Sequence, residues 1–158
     1  MNEIRVLYLM GSESDRALVE LSKPYFDFFN IEVEYKVSSA HRNPTLTAEL
    51  ASSARQNGFS AVICAAGMAA HLAGIFAAHS DLPVIGVPLS GGMMDGLDAL
   101  LSTVQMPGGV PVATLAVGKA GVINSAVLCA RIFSLFDEKI HEKLAEFIMS
   151  GSKLPSVK

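Results

Sequence analysis

The chain has 158 residues, 17% of them charged, and a formal net charge of −3, so it is long enough for one domain with a sizeable core. The absence of a basic run argues against nucleic acid as a main partner. Hydrophobic residues make up 51% of the chain, but Gly, Pro, Ser, His and Asp interrupt every apolar stretch. This excludes a membrane-spanning run of about 20 apolar residues. Few charges on so small a domain predict a surface partly covered by other subunits, and hence a homo-oligomer.

The amino terminus runs from Met1 directly into a strand, which indicates that there is no signal peptide. Cys64 and Cys129 lie in apolar segments, as is typical of reduced core thiols in a cytoplasmic protein. No spacing of Cys and His is typical of a zinc or haem site.

The first predicted strand spans Ile4–Met10, and a helix is expected after it, through about Phe29. The segment between them runs from Gly11 through Ser12, Glu13 and Ser14 to Asp15. Ser12 and Asp15 have the spacing of a capping box. A Gly turn and serines at a helix start are equally typical of a phosphate or ribose site, so both interpretations stay open. The segment has neither the dinucleotide G-x-G-x-x-G pattern nor a Walker lysine.

The second predicted strand, Ile31–Val37, alternates in polarity, which places Ile31, Val33, Tyr35 and Val37 on one face. The loop after it is Ser38–Pro44, in which Asn43 and Pro44 predict the N-cap and first residue of a helix.

This loop places Ser39, His41 and Arg42 between the carboxyl end of a strand and the amino end of a helix. Backbone N–H groups favour an anion there, and Arg42 adds a forked cation. His41 can exchange protons near neutral pH. The alternative interpretation is a plain turn with a surface Arg and a partly buried His.

The helix from Pro44 is expected to end at Gln56, before Asn57-Gly58, and a buried third strand covers Ser60–Ala66. The small-residue segment Gly67–Gly74 then leads into a helix to about His79, and it allows close backbone approach. His71 falls in the first helical turn, where the dipole disfavours its charged form. A core histidine and simple packing of the alanines are the alternatives.

The remaining elements are less informative about function. Ser90–Met94 is a flexible loop and a lid candidate. Asp95 and Asp98 could be a metal-binding pair, but their spacing favours an N-cap with a first-turn acid. The other predicted elements are a fourth strand at Pro83–Pro88, a helix from Asp95 to Met106, a fifth strand at Val110–Val117 and helices at 120–136 and 137–149.

The last predicted helix carries an apolar stripe suited to packing on the body or on a neighbour, formed by Ile140, Leu144, Phe147 and Ile148. We expect one domain over residues 1–150 and a flexible tail over 151–158.

Five strands alternating with helices predict a three-layer, flavodoxin-like α/β fold with a parallel sheet in the order 2-1-3-4-5 and a C-terminal helix. In that order the loops after strands 1, 2 and 3 meet at one rim, beside the switch point. One ligand site then explains all three suspect motifs better than three separate helix caps.

With these motifs in view, the chain resembles the class I mutase branch of the aminoimidazole ribonucleotide carboxylase family, from about Val6 to Phe136. The matching segments are Met10–Asp15, Ser38–Arg42, Ala69–Leu72 and Val104–Thr114. Where that family usually has Thr, Gly and Pro, this chain has Asn43, Met68 and Ala73. Met68 adds a side chain near the presumed carboxylate pocket.

The resemblance implies an octameric isomerase of purine biosynthesis that uses no metal and no organic cofactor. It implies that His41 handles protons and that Ser12, Asp15 and Arg42 hold the ribonucleotide. The complete set of expected substrate-binding residues is Gly11, Ser12, Ser14, Asp15, Ser39, Ala40, Arg42, Gly67, Met68, Ala69, Ala70, His71 and Leu72.

The chemistry moves a carboxylate of 5-(carboxyamino)imidazole ribonucleotide from the exocyclic nitrogen to ring carbon 4. One histidine can serve as acid and then as base, and His41 is the candidate. Ala69, Ala70 and His71 are candidates for an apolar pocket that retains carbon dioxide. Ser39 and Arg42 would anchor the phosphate.

Two alternatives remain at this point. Class II enzymes of the same family carboxylate aminoimidazole ribonucleotide directly; they carry Lys after the loop histidine and lack the Ala-Ala-His-Leu segment, so Arg42 and Ala69–Leu72 favour the mutase. A non-catalytic flavodoxin-like or receiver module is the alternative of another class. The chain has no Trp, no Tyr in its rim loops, and Ala65-Ala66-Gly67 where a receiver needs Asp.

Overall fold

The framework of the computed structural model, which describes residues 4–155, is one parallel sheet in the order β2-β1-β3-β4-β5. The strands are β1 (Arg5–Met10), β2 (Glu32–Val37), β3 (Ala61–Ala66), β4 (Val84–Pro88) and β5 (Ala113–Thr114). The helices are α1 (Arg16–Val19), α2 (Lys23–Phe29), α3 (Pro44–Ser53), α4 (Leu72–His79), α5 (Leu97–Val104), α6 (Lys119–Phe133) and α7 (Glu138–Met149). The strand order and the C-terminal helix confirm the predicted flavodoxin-like fold.

Strand β1, between β2 and β3, is covered on both faces, as its apolar sequence predicts. Val6, Tyr8 and Met10 are fully buried in a core shared with α1, α2, α6 and α7. Leu7 and Leu9 point the other way, into a second core shared with α3 and α4. This alternation gives the three layers, and it leaves only the ends of the strands open for a ligand.

The two cysteines occupy separate cores and are free, which confirms the prediction of core thiols. Burial raises the pKa of the Cys64 thiol well above its ordinary value, and that of Cys129 to about 12. Both thiols therefore remain protonated in the folded chain at neutral pH.

The predicted single helix after β1 is wrong, because the chain forms a 3-10 turn at Glu13–Asp15 and then two short helices. A second 3-10 turn, Glu20–Ser22, separates α1 from α2. Pro24 is the physical cause, since its nitrogen cannot donate to the carbonyl group of Glu20.

The fifth strand is much shorter than predicted, because only Ala113 and Thr114 pair with β4. Pro111 has no N–H group to donate to a ladder, which limits regular pairing at its start. The ends of α3 and α5 also fall two to three residues inside the predicted bounds.

Asp95 is not the N-cap of α5, since Gly96 occupies that position. The Asp95 carboxylate instead accepts from the N–H group of Gly91 at 3.3 Å, and that of Asp98 accepts from Met93 at 2.9 Å. Both carboxylates thus stabilise the loop after β4, because their oxygens accept from backbone N–H groups of this irregular turn.

The apolar stripe of α7 packs on the body of the same chain. Ile140, Leu144 and Phe147 are buried in the core of α2 and α6, whereas Ile148 is 48% exposed. Leu154, in the predicted tail, packs partly against that core, and residues 156–158 lie outside the described part of the chain.

Candidate functional site

Three loops leave the sheet at the same level and on the same edge: the first loop (11–15), the second loop (38–43) and the third loop (67–71). Met10, the last residue of β1, is in register with Val37 of β2 and Ala65 of β3. The N–H group of Gly11 donates to Ala65 at 3.0 Å, and that of Ser38 donates to Met10 at 2.9 Å. The predicted rim beside the switch point is therefore confirmed.

The second and third loops meet through their histidines. Nε2 of His41 lies 2.7 Å from Nδ1 of His71, with the ring planes at 82°. One nitrogen must donate and the other accept, so a single proton lies between the two rings. Both side chains are exposed, and the alternatives of a core His71 and a partly buried His41 are therefore wrong.

Arg42 follows His41 in the second loop and is exposed. Within residues 4–155 it takes part in no ion pair. The backbone N–H group of Arg42 donates to Ser39 Oγ at 3.3 Å. The Ser39 hydroxyl keeps its own proton to donate, so its part in the turn leaves it able to bind an anion.

Asn43 is the N-cap of α3 and Pro44 begins the helix, as predicted, but the Asn43 side chain makes no capping hydrogen bond. Its backbone, at φ −135° and ψ 62°, lies outside the extended geometry that lets an N-cap side chain reach back. The start of α3 therefore offers N–H groups that no side chain of the described residues caps. Such a helix end favours an anion next to Arg42.

The first loop is organised by Ser12, whose Oγ accepts from the N–H group of Ser14 at 3.3 Å and lies 2.9 Å from the Ser14 hydroxyl. Ser12 thus caps the 3-10 turn. Its side chain binds the N–H group of Ser14, however, whereas a capping box would use that of Asp15. Desolvation raises the pKa of the half-buried Asp15 carboxyl, and a hydrogen bond with the Ser12 backbone partly offsets that shift. The fold therefore disfavours the ionised form of the Asp15 carboxyl group.

The third loop contains Met68 in the left-handed region, at φ 54°, with its side chain 68% exposed. The neighbouring Ala69 is exposed too, whereas Ala70 and Leu72 are each only 2% exposed. Ala70 and Leu72 belong to the core beneath, so the structure does not present these two predicted site residues to a ligand on the surface. Ala40 likewise packs partly against the core under α3.

Some predicted site residues are in direct contact, whereas others only lie at the same end of the sheet. His41 and His71 are in contact, while Ser12, Ser14 and Asp15 share their edge through strand register. Among the described residues, no group of three His, Cys, Asp or Glu side chains could hold a metal ion. In the same part of the chain, no helix is both long and apolar enough to cross a membrane.

Ser38 and Thr47 did not stand out as site residues in the sequence. The two hydroxyls are buried and bonded to each other at 2.8 Å beneath the second loop. The available signal was Thr47 itself, which lies four residues after Asn43 and can therefore reach its carbonyl group.

Comparison with known proteins identifies the family of the chain. Residues 5–153 match the family described as AIR carboxylase, and the chain belongs to this family. It is 49% identical over 138 residues to the N5-carboxyaminoimidazole ribonucleotide mutase of Bacillus subtilis (strain 168). The aligned part covers 87% of this chain and 85% of the relative. The mutase of Escherichia coli (strain K12) is 43% identical over 146 residues, or 92% and 86% of the two chains.

The fold is also that of a solved relative. The crystal structure of Treponema denticola PurE superposes with a TM-score of 0.83 at 26% identity, covering 95% of this chain and 92% of that one. The family predicted from the loop motifs is thereby confirmed.

Proposed function

We propose that this chain is an N5-carboxyaminoimidazole ribonucleotide mutase, an isomerase of purine biosynthesis whose catalytic unit is the single domain of residues 1–150. The observation that carries the proposal is the histidine pair. In a member of the AIR carboxylase family, it places the one group suited to proton transfer on the ligand rim of the sheet. The 43–49% identity to proteins named as mutases supports the same conclusion.

The proposed reaction breaks the bond between the carboxylate and the exocyclic nitrogen, and forms a bond from the same carbon to ring carbon 4. His41, as an imidazolium, donates its proton to the departing nitrogen. The electron-rich ring carbon then attacks the carbon dioxide released, and the neutral imidazole removes the proton from that carbon. Acid and base are one group, so the cycle ends in the state in which it began.

His71 has the supporting role in this scheme. Its contact with Nε2 of His41 fixes the orientation and tautomer of that ring, as a hydrogen-bonded partner does for a catalytic imidazole. His71 is itself held in place as the N-cap residue of α4.

The ribonucleotide lies across the rim in this proposal. Its phosphate binds Arg42, the Ser39 hydroxyl and the amino end of α3, which together supply a cation and hydrogen-bond donors. Its ribose binds the first loop, where Gly11 and Ser14 shape the turn and Ser12 and Asp15 offer polar groups. The exposed surface of Gly67, Met68 and Ala69 lines the carboxylate end.

One assay separates the mutase from direct carboxylation with free carbon dioxide. Purified protein is given either the carboxyamino substrate or aminoimidazole ribonucleotide, each with and without bicarbonate. We expect conversion of the carboxyamino substrate whether or not bicarbonate is present. Turnover that requires aminoimidazole ribonucleotide and bicarbonate would instead establish the class II activity, and no turnover of either would leave a binding module.

We further propose that the protein is a homo-octamer that works in the cytoplasm. Three of the four residues in the stripe of the last helix are buried, so it offers little apolar surface, but α5 exposes Leu97, Leu101 and Val104 along one side. Light scattering on the wild type and on Leu101→Asp tests this. A monomer at micromolar concentration would refute the oligomer, and dissociation of the variant would identify α5 as an interface.

A further inference from the structure

The second loop is closed from below by two buried hydroxyl groups. Ser38, directly after β2, is 3% exposed, and Thr47, on α3, is fully buried. Thr47 Oγ1 lies 3.0 Å from the carbonyl oxygen of Asn43 and 2.8 Å from Ser38 Oγ. A carbonyl oxygen can only accept, so the proton of Thr47 goes to Asn43 and that of Ser38 goes to Thr47.

This hydroxyl chain ties together the two ends of the loop that presents His41 and Arg42. At its start, Ser38 is also held by its N–H group, which donates to Met10 of β1. At its end, Asn43 is held by both the hydroxyl and the N–H group of Thr47.

The two functional side chains themselves have few ties to the protein. His41 contacts His71, and for Arg42 the described residues show only a backbone hydrogen bond to Ser39. The backbone of the loop therefore sets where both groups stand relative to the sheet.

We infer that Ser38 and Thr47 are positioning residues, which hold His41 and Arg42 in place for the reaction without touching the substrate. The inference rests on the proposed function. Its physical basis is the steep dependence of catalysis on geometry, since a displacement of about 1 Å can cost roughly 100-fold in rate.

A purely structural role predicts a different outcome, and paired substitutions separate the two. Thr47→Val keeps the shape but leaves the Ser38 hydroxyl buried without its acceptor, which lowers stability whatever the role. Ser38→Ala combined with Thr47→Val removes both hydroxyls, so no buried group of the pair is left unsatisfied. The double variant should be more stable than Thr47→Val, but it lacks the side-chain hydrogen bonds that connect the two ends of the loop.

The experiment measures kcat, KM and melting temperature for the wild type, both variants and Thr47→Ser, at a temperature where all are folded. We expect kcat/KM of the double variant to fall about 10- to 100-fold, with kcat lowered and KM raised, while its melting temperature stays near that of the wild type. Thr47→Ser keeps the hydroxyl and should restore kcat/KM to within about threefold of the wild type. Wild-type kcat/KM in the double variant would overturn the inference.

Thr103→Val is the matched control. Thr103 is also buried, at 2% exposure, and its hydroxyl also donates to a carbonyl four residues earlier, that of Ala99 at 2.7 Å. It lies on α5, away from the second loop, and should change the melting temperature without changing kcat/KM.

The ring resonances of the histidines give a readout that does not depend on turnover. In the wild type we expect a scalar coupling across the hydrogen bond between His41 Nε2 and His71 Nδ1 in nuclear magnetic resonance spectra, and we expect it to be lost in the double variant. An inactive wild type would refute the proposed function alone. Unchanged coupling in the double variant would refute the positioning role.

Discussion

His41 and His71, 30 residues apart in the sequence, share one hydrogen bond across two loops, Nε2 to Nδ1 at 2.7 Å. Each ring comes from a different strand end of the same sheet, so the contact exists only when β2 and β3 flank β1 in register. The ring of the proposed proton carrier, His41, is therefore oriented only when the sheet is correctly assembled.

Replacing His41 with Asn should abolish chemistry but preserve binding. Turnover should fall by about 100- to 10,000-fold, as expected for the loss of a general acid–base, because Asn cannot exchange a proton near neutral pH. Steady-state kinetics and nucleotide binding by calorimetry measure both quantities. His71→Asn should cost less, and the reverse order would move the proton transfer to the third loop.

Arg42→Ala should weaken ribonucleotide binding by about 10- to 100-fold, because a charge-assisted contact to the phosphate is lost. Stability should change little, since the guanidinium is exposed and makes no ion pair among the described residues. Arg55→Ala is the control, because Arg55 is an exposed arginine paired with Asp81 at 2.7 Å. Equal losses of affinity in the two variants would argue against a phosphate site at Arg42.

Asp15→Asn should separate stability from function. The fold raises the pKa of Asp15, so the folded chain binds this proton more tightly than the unfolded chain does. That contribution is present at acid pH and is lost as pH rises through the folded pKa, which makes the ionised carboxylate a net cost at pH 7.

The variant should therefore melt no lower than the wild type at pH 7, and its relative advantage should shrink as pH falls through the raised folded pKa and be gone below about pH 4. Its KM should rise about tenfold, because a charged acceptor for the ribose is gone. Calorimetric melting at several pH values and steady-state kinetics test both parts. A variant that melts lower at pH 7 would show that the carboxylate stabilises the fold.

Met68→Gly should leave the melting temperature unchanged or raise it. The positive φ of Met68 costs an L-residue roughly 1–2 kcal/mol, which offsets the roughly 0.5–1 kcal/mol that a glycine costs through backbone entropy. Ala69→Gly is the neighbouring control, since φ of Ala69 is not positive and only the entropy cost applies. Equal destabilisation of the two variants would show that Met68 is unstrained.

Much of the fold was predictable because polarity patterns report burial on a sheet directly. β1 and β3 are continuous apolar runs with helices on both faces, and that alone indicates a central parallel position. The meeting of three loops followed from the strand order, without any knowledge of side chains. The histidine contact did not, because it depends on ring orientations that no spacing along the chain determines.

The errors came from competing local interactions. Asn43 is the N-cap of α3 as predicted, yet its side chain does not cap the helix, because its backbone, whose carbonyl accepts from Thr47, lies outside the extended conformation. Asp95 is also a residue type that favours the N-cap position. Gly96 occupies that position in α5, however, and the Asp95 carboxylate accepts from the N–H group of Gly91 instead. The stripe on α7 suited the body and a neighbour equally, since periodicity shows that a face is apolar and not what covers it.

The two buried thiols make this chain a convenient background for spectroscopic probes. With Cys64 and Cys129 protonated and shielded in the cores, alkylating reagents should leave the native protein unmodified. A single cysteine introduced in place of the exposed Met93 could then carry a fluorophore without removal of the native ones. Movements of the loop after β4 during turnover would thus become visible in an otherwise unaltered molecule.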